Sequence, residues 1–175
     1  MNELKLVSPL LDNMQLERLI SDTGGAQVYL VTNTVTERPY IVKHISIPTS
    51  QTQVEALVFS GAVPDEAAAQ VYYEQVVEDY KQELLTLSEL SGSSSIARYL
   101  SCQVEKKETG TGFDLYLLSD FYESLASYLS KNAMTHLRIL NLGIDLCTAL
   151  TELRRHQLVH RDIKPENVFL NGLNS

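Results

Sequence analysis

The sequence predicts an α+β fold, in which a five-stranded antiparallel sheet with one long inserted helix is followed by more helices. Three observations support this. Five short segments are rich in β-branched and aromatic residues, a long helical pattern separates the third from the fourth, and a second strong helical pattern follows the fifth. Runs of strands followed by runs of helices are typical of α+β proteins. The 175 residues suffice for one domain or slightly more.

Turn-forming residues separate the first three strand segments. A strand pattern begins near Leu16 and resumes at Val28, after the small-residue segment Ser-Asp-Thr-Gly-Gly-Ala at 21–26. A third strand is predicted over 40–45, with a proline on each side. We interpret residues 46–63 as an irregular polar connection.

The inserted helix is predicted from Asp65 to about Leu90. Acidic residues at its start favour this assignment, because they interact well with the positive end of the helix dipole. The serine-rich turn at 91–95 ends it. The remaining elements are predicted as strands over 96–104 and 113–119, a short helix near 124–130 and a long helix from Thr135 to about His156.

Composition excludes several classes of protein. The net charge is −8, and an acidic chain repels phosphate backbones, so we expect no nucleic-acid partner. Cys102 and Cys147 do not have the spacing of a zinc or redox motif. No secretory leader or long apolar run is visible. We therefore expect no membrane segment in this chain and a reducing compartment, the cytoplasm.

The strongest motif is His-Arg-Asp-Ile-Lys-Pro-Glu-Asn at 160–167. It resembles the catalytic loop of protein kinases, H-R-D-x-x-x-x-N, at full spacing. Its Lys-Pro-Glu-Asn portion is similar to the serine/threonine version. The resemblance implies a protein kinase fold and transfer of the γ-phosphate of ATP to a hydroxyl of a protein substrate.

The same resemblance implies roles for the residues of this loop. Asp162 would accept the proton of the substrate hydroxyl, and Asn167 would be a ligand of Mg²⁺. Lys164, which lies between them, would neutralise the transferred phosphoryl group. The implied cofactors are ATP and Mg²⁺, and the implied partner is a protein with serine or threonine.

Two further catalytic positions follow from spacing within the family pattern. Lys43 lies fifteen positions after Val28, where protein kinases have the lysine that holds the α- and β-phosphates. Its carboxylate partner is predicted to be Glu83. The residues Val76, Tyr80, Glu83, Leu87 and Leu90 recur at helical spacing, and Glu83 is the carboxylate inside this apolar stripe. Other glutamates of the helix, such as Glu74 and Glu78, are interpreted as solvated.

The resemblance also implies a nucleotide pocket, although several of its residues depart from the family pattern. Ser21, Thr23 and Ala26 stand where the pattern G-x-G-x-x-G-x-V has glycines, and Gly24 and Gly25 are displaced. We interpret this segment as a degenerate phosphate-covering loop. Ile41 and Phe169 are bulkier than the family usually has, which puts adenine affinity in doubt. The implied nucleotide-binding residues are Ser21, Thr23, Gly24, Gly25, Ala26, Val28, Ile41, Lys43, Ser119, Asp120, Tyr122 and Phe169.

The resemblance covers about residues 14–172 but only the first part of a kinase domain. It implies an N-lobe and hinge over about 14–122 and the start of a helical C-lobe over about 123–175. The Asp-Phe-Gly motif is expected near position 180, so we expect these 175 residues alone to be inactive. The helix at 135–156 is apolar around most of its circumference. This predicts an exposed face that needs further chain or a partner.

Two other interpretations remain open at this point. A short pseudokinase-like module could bind a nucleotide or a partner without phosphoryl transfer, and the departures in the glycine loop favour it mildly. A phosphotransferase acting on a small molecule could share the catalytic loop.

Overall fold

The computed structural model describes residues 4–90, 96–97 and 99–170, with the side chains of 87–90 outside that description. The chain divides into two compact units. The sheet unit comprises Met1–Leu85 and Tyr99–Phe121, and the helical unit comprises Thr86–Arg98 and Tyr122–Ser175. The serine-rich turn predicted at 91–95 lies outside the described residues.

The sheet unit is built on five antiparallel strands in the order β1-β2-β3-β5-β4. This confirms the predicted sheet, with strand ends that differ from the predicted ones by a few residues. The strands are β1 (Met14–Asp22), β2 (Ala26–Asn33), β3 (Pro39–Ile47), β4 (Tyr99–Lys106) and β5 (Phe113–Asp120).

Each face of this sheet carries its own apolar cluster, because successive strand residues point to opposite faces. On the outer face, the amino-terminal segment packs Leu4, Val7 and Leu11 against a buried group that includes Tyr29 and Val42. On the helix face, residues such as Leu115 pack against the helices that follow β3. Both faces are therefore covered.

The connection after β3 contains a helix that the sequence interpretation missed. Residues 46–63 were expected to be irregular, but α1 (Gln51–Phe59) forms within them. Val54, Leu57 and Val58 have helical spacing and join the cluster on the helix face, which explains why this short segment is helical. The predicted long helix follows as α2 (Glu66–Leu90). Asp65 caps it, since its Oδ1 accepts the Ala68 N–H at 2.8 Å.

The buried row of α2 differs in part from the predicted stripe, of which Tyr80 packs against the sheet cluster. Ala69, Tyr73, Val77 and Leu84 are buried, and the first three contact the sheet cluster. Glu83 is exposed, so its placement inside a buried apolar stripe is wrong. Leu84, the next residue along the helix, takes the buried position instead.

The helical unit confirms both predicted helices. It contains β6 (Glu123–Ser124), α3 (Leu125–Leu129), α4 (His136–Arg155), a 3-10 turn (Pro165–Asn167) and β7 (Phe169–Leu170). Ser124 and Thr135 cap the two helices, because their side chains accept backbone N–H groups of the first turn.

The apolar face of α4 is exposed in this structure, as the sequence predicts. Leu137, Leu140 and Ile144 each keep more than 60% of their surface accessible. Within the described part of the chain, no helix is both long and apolar enough to cross a membrane.

Candidate active site

The segment that carries the His160 motif is held at both ends. Before it, α4 ends in a turn in which the Leu158 N–H donates to Leu153 O at 2.9 Å and Gln157 adopts a left-handed φ of 59°. After it, β7 pairs with β6, and the Leu125 N–H donates to Val168 O at 2.7 Å. The loop between these anchors therefore has a defined path.

Within this loop the three predicted catalytic side chains meet. Asn167 Nδ2 donates to Asp162 Oδ2 at 2.7 Å and to the Asp162 carbonyl at 2.9 Å. Lys164 Nζ lies 3.0 Å from the same carboxylate oxygen. The 3-10 turn brings Asn167 back towards Asp162, and the Asn167 N–H donates to Lys164 O at 2.9 Å.

Electrostatics keep the Asp162 carboxyl ionised. The hydrogen bond from Lys164 is the main reason that the pKa of Asp162 lies below its ordinary value; partial desolvation opposes this, and the Asn167 bond adds to it. The preceding residue, Arg161, has a left-handed φ of 63°, a conformation that costs a non-glycine residue about 1 kcal/mol. The Asp162 carboxylate is therefore exposed and ionised at neutral pH, and the neighbouring ammonium group makes it a weaker base than an ordinary aspartate.

The second group of predicted residues lies on the sheet unit. Lys43 on β3 pairs directly with Val28 on β2 and with Leu117 on β5. The fifteen-residue spacing between Val28 and Lys43 is therefore realised as a cross-strand pair on one face of the sheet.

Lys43 is a half-buried cation. Burial lowers the pKa of its ammonium group. Among the described residues it has no ion-pair partner, and Glu83 is not paired with it. Glu83 instead adds to the raised pKa of Tyr99, which burial chiefly causes. The predicted Lys43–Glu83 pair remains a prediction.

Most predicted nucleotide contacts of the sheet unit share the face of Lys43. Ala26 pairs with Ile45, and Ile41 pairs with both Leu30 and Ser119, so these residues lie on that face with Val28. Asp120 ends β5 in the same unit. Tyr122 and Phe169 belong to the helical unit, where Phe169 pairs with Ser124.

The predicted phosphate-covering loop is a tight connection between β1 and β2. Ser21, next to the last residue of β1, pairs with Val28, and the Thr23 N–H donates to Ala26 O at 3.1 Å. Gly24 has a φ of +78°, which favours glycine, and a Cβ on Gly25 would lie 2.5 Å from Thr49 Cγ2. The backbone conformation therefore favours glycine at 24, and the close approach of the Thr49 side chain favours it at 25.

Comparison with known sequences decides the family. A family profile described as "Protein tyrosine and serine/threonine kinase" matches residues 63–174, which is more than half of the chain. The chain belongs to the protein kinase family. The five-stranded sheet and the loop at 160–167 fit the start of a kinase domain, so the resemblance seen in the motif is confirmed.

Two relatives named as kinases illustrate the match. The kinase chain is 26% identical over 167 residues to "Serine/threonine-protein kinase ppk30" of Schizosaccharomyces pombe, covering 91% of this chain and 15% of that protein. It is 30% identical over 98 residues to "Misshapen-like kinase 1" of Rattus norvegicus, covering 53% of this chain and 7% of that protein. The chain therefore spans less than a sixth of the length of either relative.

The donor chemistry of the kinase loop fits Mg²⁺ in part. Mg²⁺ prefers oxygen ligands, and the Asn167 amide nitrogen already donates to Asp162, which leaves Asn167 Oδ1 as an available acceptor. Among the described residues no cluster of three or more acidic, histidine or cysteine side chains could hold a metal alone. Asn167 would therefore supply one ligand of such a site, which would need others.

Sequence reasoning missed polar residues that hold the β1–β2 loop. Asp22 and Gln27 flank this loop and are cross-strand partners. Two features of the sequence could have indicated them. They lie symmetrically around Gly24 and Gly25, and an aspartate before a turn commonly accepts backbone N–H groups. His44 on β3 is partly buried and lies 3.1 Å from Asp114 Oδ1, so its side chain has a polar partner.

Proposed function

We propose that the protein containing this chain is a serine/threonine protein kinase that transfers the γ-phosphate of ATP to a protein hydroxyl. The observation that carries this proposal is the convergence of Lys164 and Asn167 on the carboxylate of Asp162. The name of the Schizosaccharomyces pombe relative supports the serine/threonine assignment.

Asp162 is the proton acceptor in this proposal. Its carboxylate is charged at neutral pH, as for an ordinary aspartate, and can take the proton that the hydroxyl loses during transfer; the lowered pKa makes it a weaker base, so this role depends on its position beside the hydroxyl. Lys164 is close enough to Asp162 to orient it and to neutralise charge on the phosphoryl group in transit. Asn167 offers its amide oxygen to the metal, and Mg²⁺ supplies charge neutralisation on the phosphates when bound.

Lys43 is assigned to the α- and β-phosphates. A half-buried ammonium group without a carboxylate partner among the described residues is a strong attractor for an anionic ligand. Glu83 is assigned the role of orienting Lys43, which requires a rearrangement that forms the pair. The β1–β2 loop over Thr23–Gly25 is assigned to the phosphates, and the helix-face residues around Val28 to the adenine ring.

The 175 residues alone are proposed to be inactive. They contain no Asp-Phe-Gly motif, and Asn167 is one metal ligand where phosphoryl transfer needs more. We propose a reducing compartment, the cytoplasm, and the two unpaired cysteines of the structure support this. The alternative of a binding module without phosphoryl transfer is not favoured, because the catalytic loop is complete.

The test uses the full-length gene product with Mg-ATP and a generic serine/threonine substrate. Asp162→Asn is expected to lower kcat by about 100-fold or more while leaving ADP affinity nearly unchanged, because it removes the proton acceptor and preserves shape. Asp145→Asn, an exposed aspartate on α4, is the matched control.

Three results would contradict the proposal. Full activity in Asp162→Asn would remove the assigned base. Phosphate found on tyrosine alone would remove the serine/threonine assignment. Nucleotide binding by the wild-type protein without any transfer would favour the binding-module alternative.

A further inference from the structure

Two polar side chains clamp the β1–β2 loop. Asp22 Oδ1 accepts the Gly24 N–H at 2.8 Å, and Asp22 Oδ2 accepts a hydrogen bond from Gln27 Nε2, also at 2.8 Å. One carboxylate therefore joins the tip of the loop to the start of strand β2. We call this pair of contacts the Asp22–Gln27 clamp.

The Gln27 amide has one orientation that satisfies its neighbours. A carboxylate only accepts hydrogen bonds, so the NH2 group must face Asp22 and Oε1 must face the other way. There Oε1 accepts from the Tyr29 hydroxyl at 3.0 Å and lies 3.3 Å from His44 Nδ1. The other ring nitrogen of His44 lies 3.1 Å from Asp114 Oδ1.

These contacts form a polar row across the outer face of the sheet. His44 is further fixed by stacking on Tyr116, with ring centroids 4.8 Å apart, and Asp114 also accepts from Ser46 Oγ at 2.8 Å. Gln27 therefore contacts Tyr29 on its own strand and His44 on β3, and His44 is in turn held by Asp114 on β5.

The clamp lies on the face opposite Val28 and Lys43. Asp22 pairs with Gln27, one position along from the Ser21–Val28 pair, so its side chain points to the outer face. It holds the Gly24 N–H on that face and so stabilises the observed conformation of the loop tip. A loop that is ordered before binding loses less conformational entropy when a ligand binds.

We propose that Asp22 and Gln27 are positioning residues that pre-order the β1–β2 loop for the phosphates of the bound nucleotide. The inference rests on the proposed nucleotide-binding function. Neither side chain needs to touch the nucleotide, because the clamp acts through the Gly24 backbone. Gln27 is the better residue to test, since its neutral side chain can be changed without altering the charge near the phosphates.

The first experiment measures Gln27→Leu in the full-length protein by two readouts. Amide hydrogen exchange of peptides covering 20–30 in the nucleotide-free protein is expected to accelerate, while exchange over 113–120 is unchanged. Affinity for ADP with magnesium is expected to fall about fivefold, as for loss of one exposed hydrogen bond to a charged group. Adenosine affinity is expected to stay the same. Gln15→Leu, the same change at an exposed site on β1, is the matched control.

A double-mutant cycle separates the clamp from general destabilisation. In an Asp22→Ala background, Gln27→Leu is expected to have no further effect on loop exchange or on ADP affinity, because its partner is already gone. Asp22→Ala and the double variant both lack the Asp22 charge, so the loss of that charge does not affect the difference between them.

The outcomes distinguish this inference from the proposed function. A wild-type protein that binds no nucleotide refutes the proposed function and with it the positioning role. If the wild type binds ADP but Gln27→Leu equals it in either readout, the inference alone is overturned. An equal penalty for Gln27→Leu in the wild-type and Asp22→Ala backgrounds also overturns it.

Discussion

The sheet unit and the helical unit differ in how completely they bury their apolar side chains. The sheet unit has a buried cluster on each face of its sheet, and Val31, Val42, Leu115 and Leu117 have no accessible surface. Among the described residues of the helical unit, Leu125 and Leu153 alone are buried. Its helix α4 leaves a row of leucines and isoleucines accessible.

This difference separates two ways of holding functional residues. Lys43 sits on a strand whose neighbours on both sides are paired, so core packing fixes its backbone. The Asp162 loop is fixed instead by local hydrogen bonds, namely the α4 end turn, the 3-10 turn and the short β6–β7 pair. Core mutations should therefore affect the two units very differently.

The largest expected contrast is between Leu115→Ala and Leu140→Ala. Leu115 is fully buried on β5, so truncation should lower the free energy of unfolding of the 175-residue chain by about 3 kcal/mol. Leu140 is 64% exposed on α4, so the same change should cost less than about 0.5 kcal/mol. Urea unfolding followed by circular dichroism measures both. Similar losses in the two variants would mean that α4 is buried in solution.

A second contrast compares the same change, glycine to alanine, at two sites where it should alter the free energy of unfolding in opposite directions. Gly112, in the β4–β5 turn, has a φ of +118°, and a Cβ there would lie 2.2 Å from Ile47 O. Gly112→Ala should therefore cost about 2–3 kcal/mol. Gly143, inside α4, has open space around it, so Gly143→Ala should stabilise by about 0.5–1 kcal/mol through helix propensity. Thermal unfolding midpoints report both signs. A destabilising Gly143→Ala would contradict the open surface of α4.

The sequence allowed the pattern of strands and the catalytic loop to be predicted, because both depend on local features. Strand alternation and turn residues locate the sheet, and the Asp162–Asn167 spacing is realised within one short loop. Predictions failed where tertiary packing decides. Helix α1 depends on burying Val54, and packing against the sheet cluster selects Ala69, Tyr73 and Val77 as the buried residues of α2. The Asp22–Gln27 clamp was missed because cross-strand side-chain contacts depend on register.

The smallest expected effect concerns two lysines, one in each unit. Burial lowers the pKa of Lys43, so between that lowered value and its ordinary value near 10.5 the unfolded chain binds more protons than the folded one. The free energy of unfolding therefore rises with pH through this window, because the cost of burying the charged Lys43 disappears as the lysine loses its proton. Lys43→Met should raise the free energy of unfolding at pH 7 by on the order of 1 kcal/mol, since it removes a desolvated charge from a functional position.

Lys164→Met is the matched control for this change, because Lys164 is exposed and already paired with Asp162. An exposed pair contributes little, so its loss should leave stability nearly unchanged. Urea unfolding from pH 7 to pH 10 should show the gain of Lys43→Met shrinking as the wild-type lysine loses its proton, while the Lys164→Met difference stays flat. A Lys43→Met gain that does not vary with pH would mean that the methionine acts through packing rather than through the buried charge.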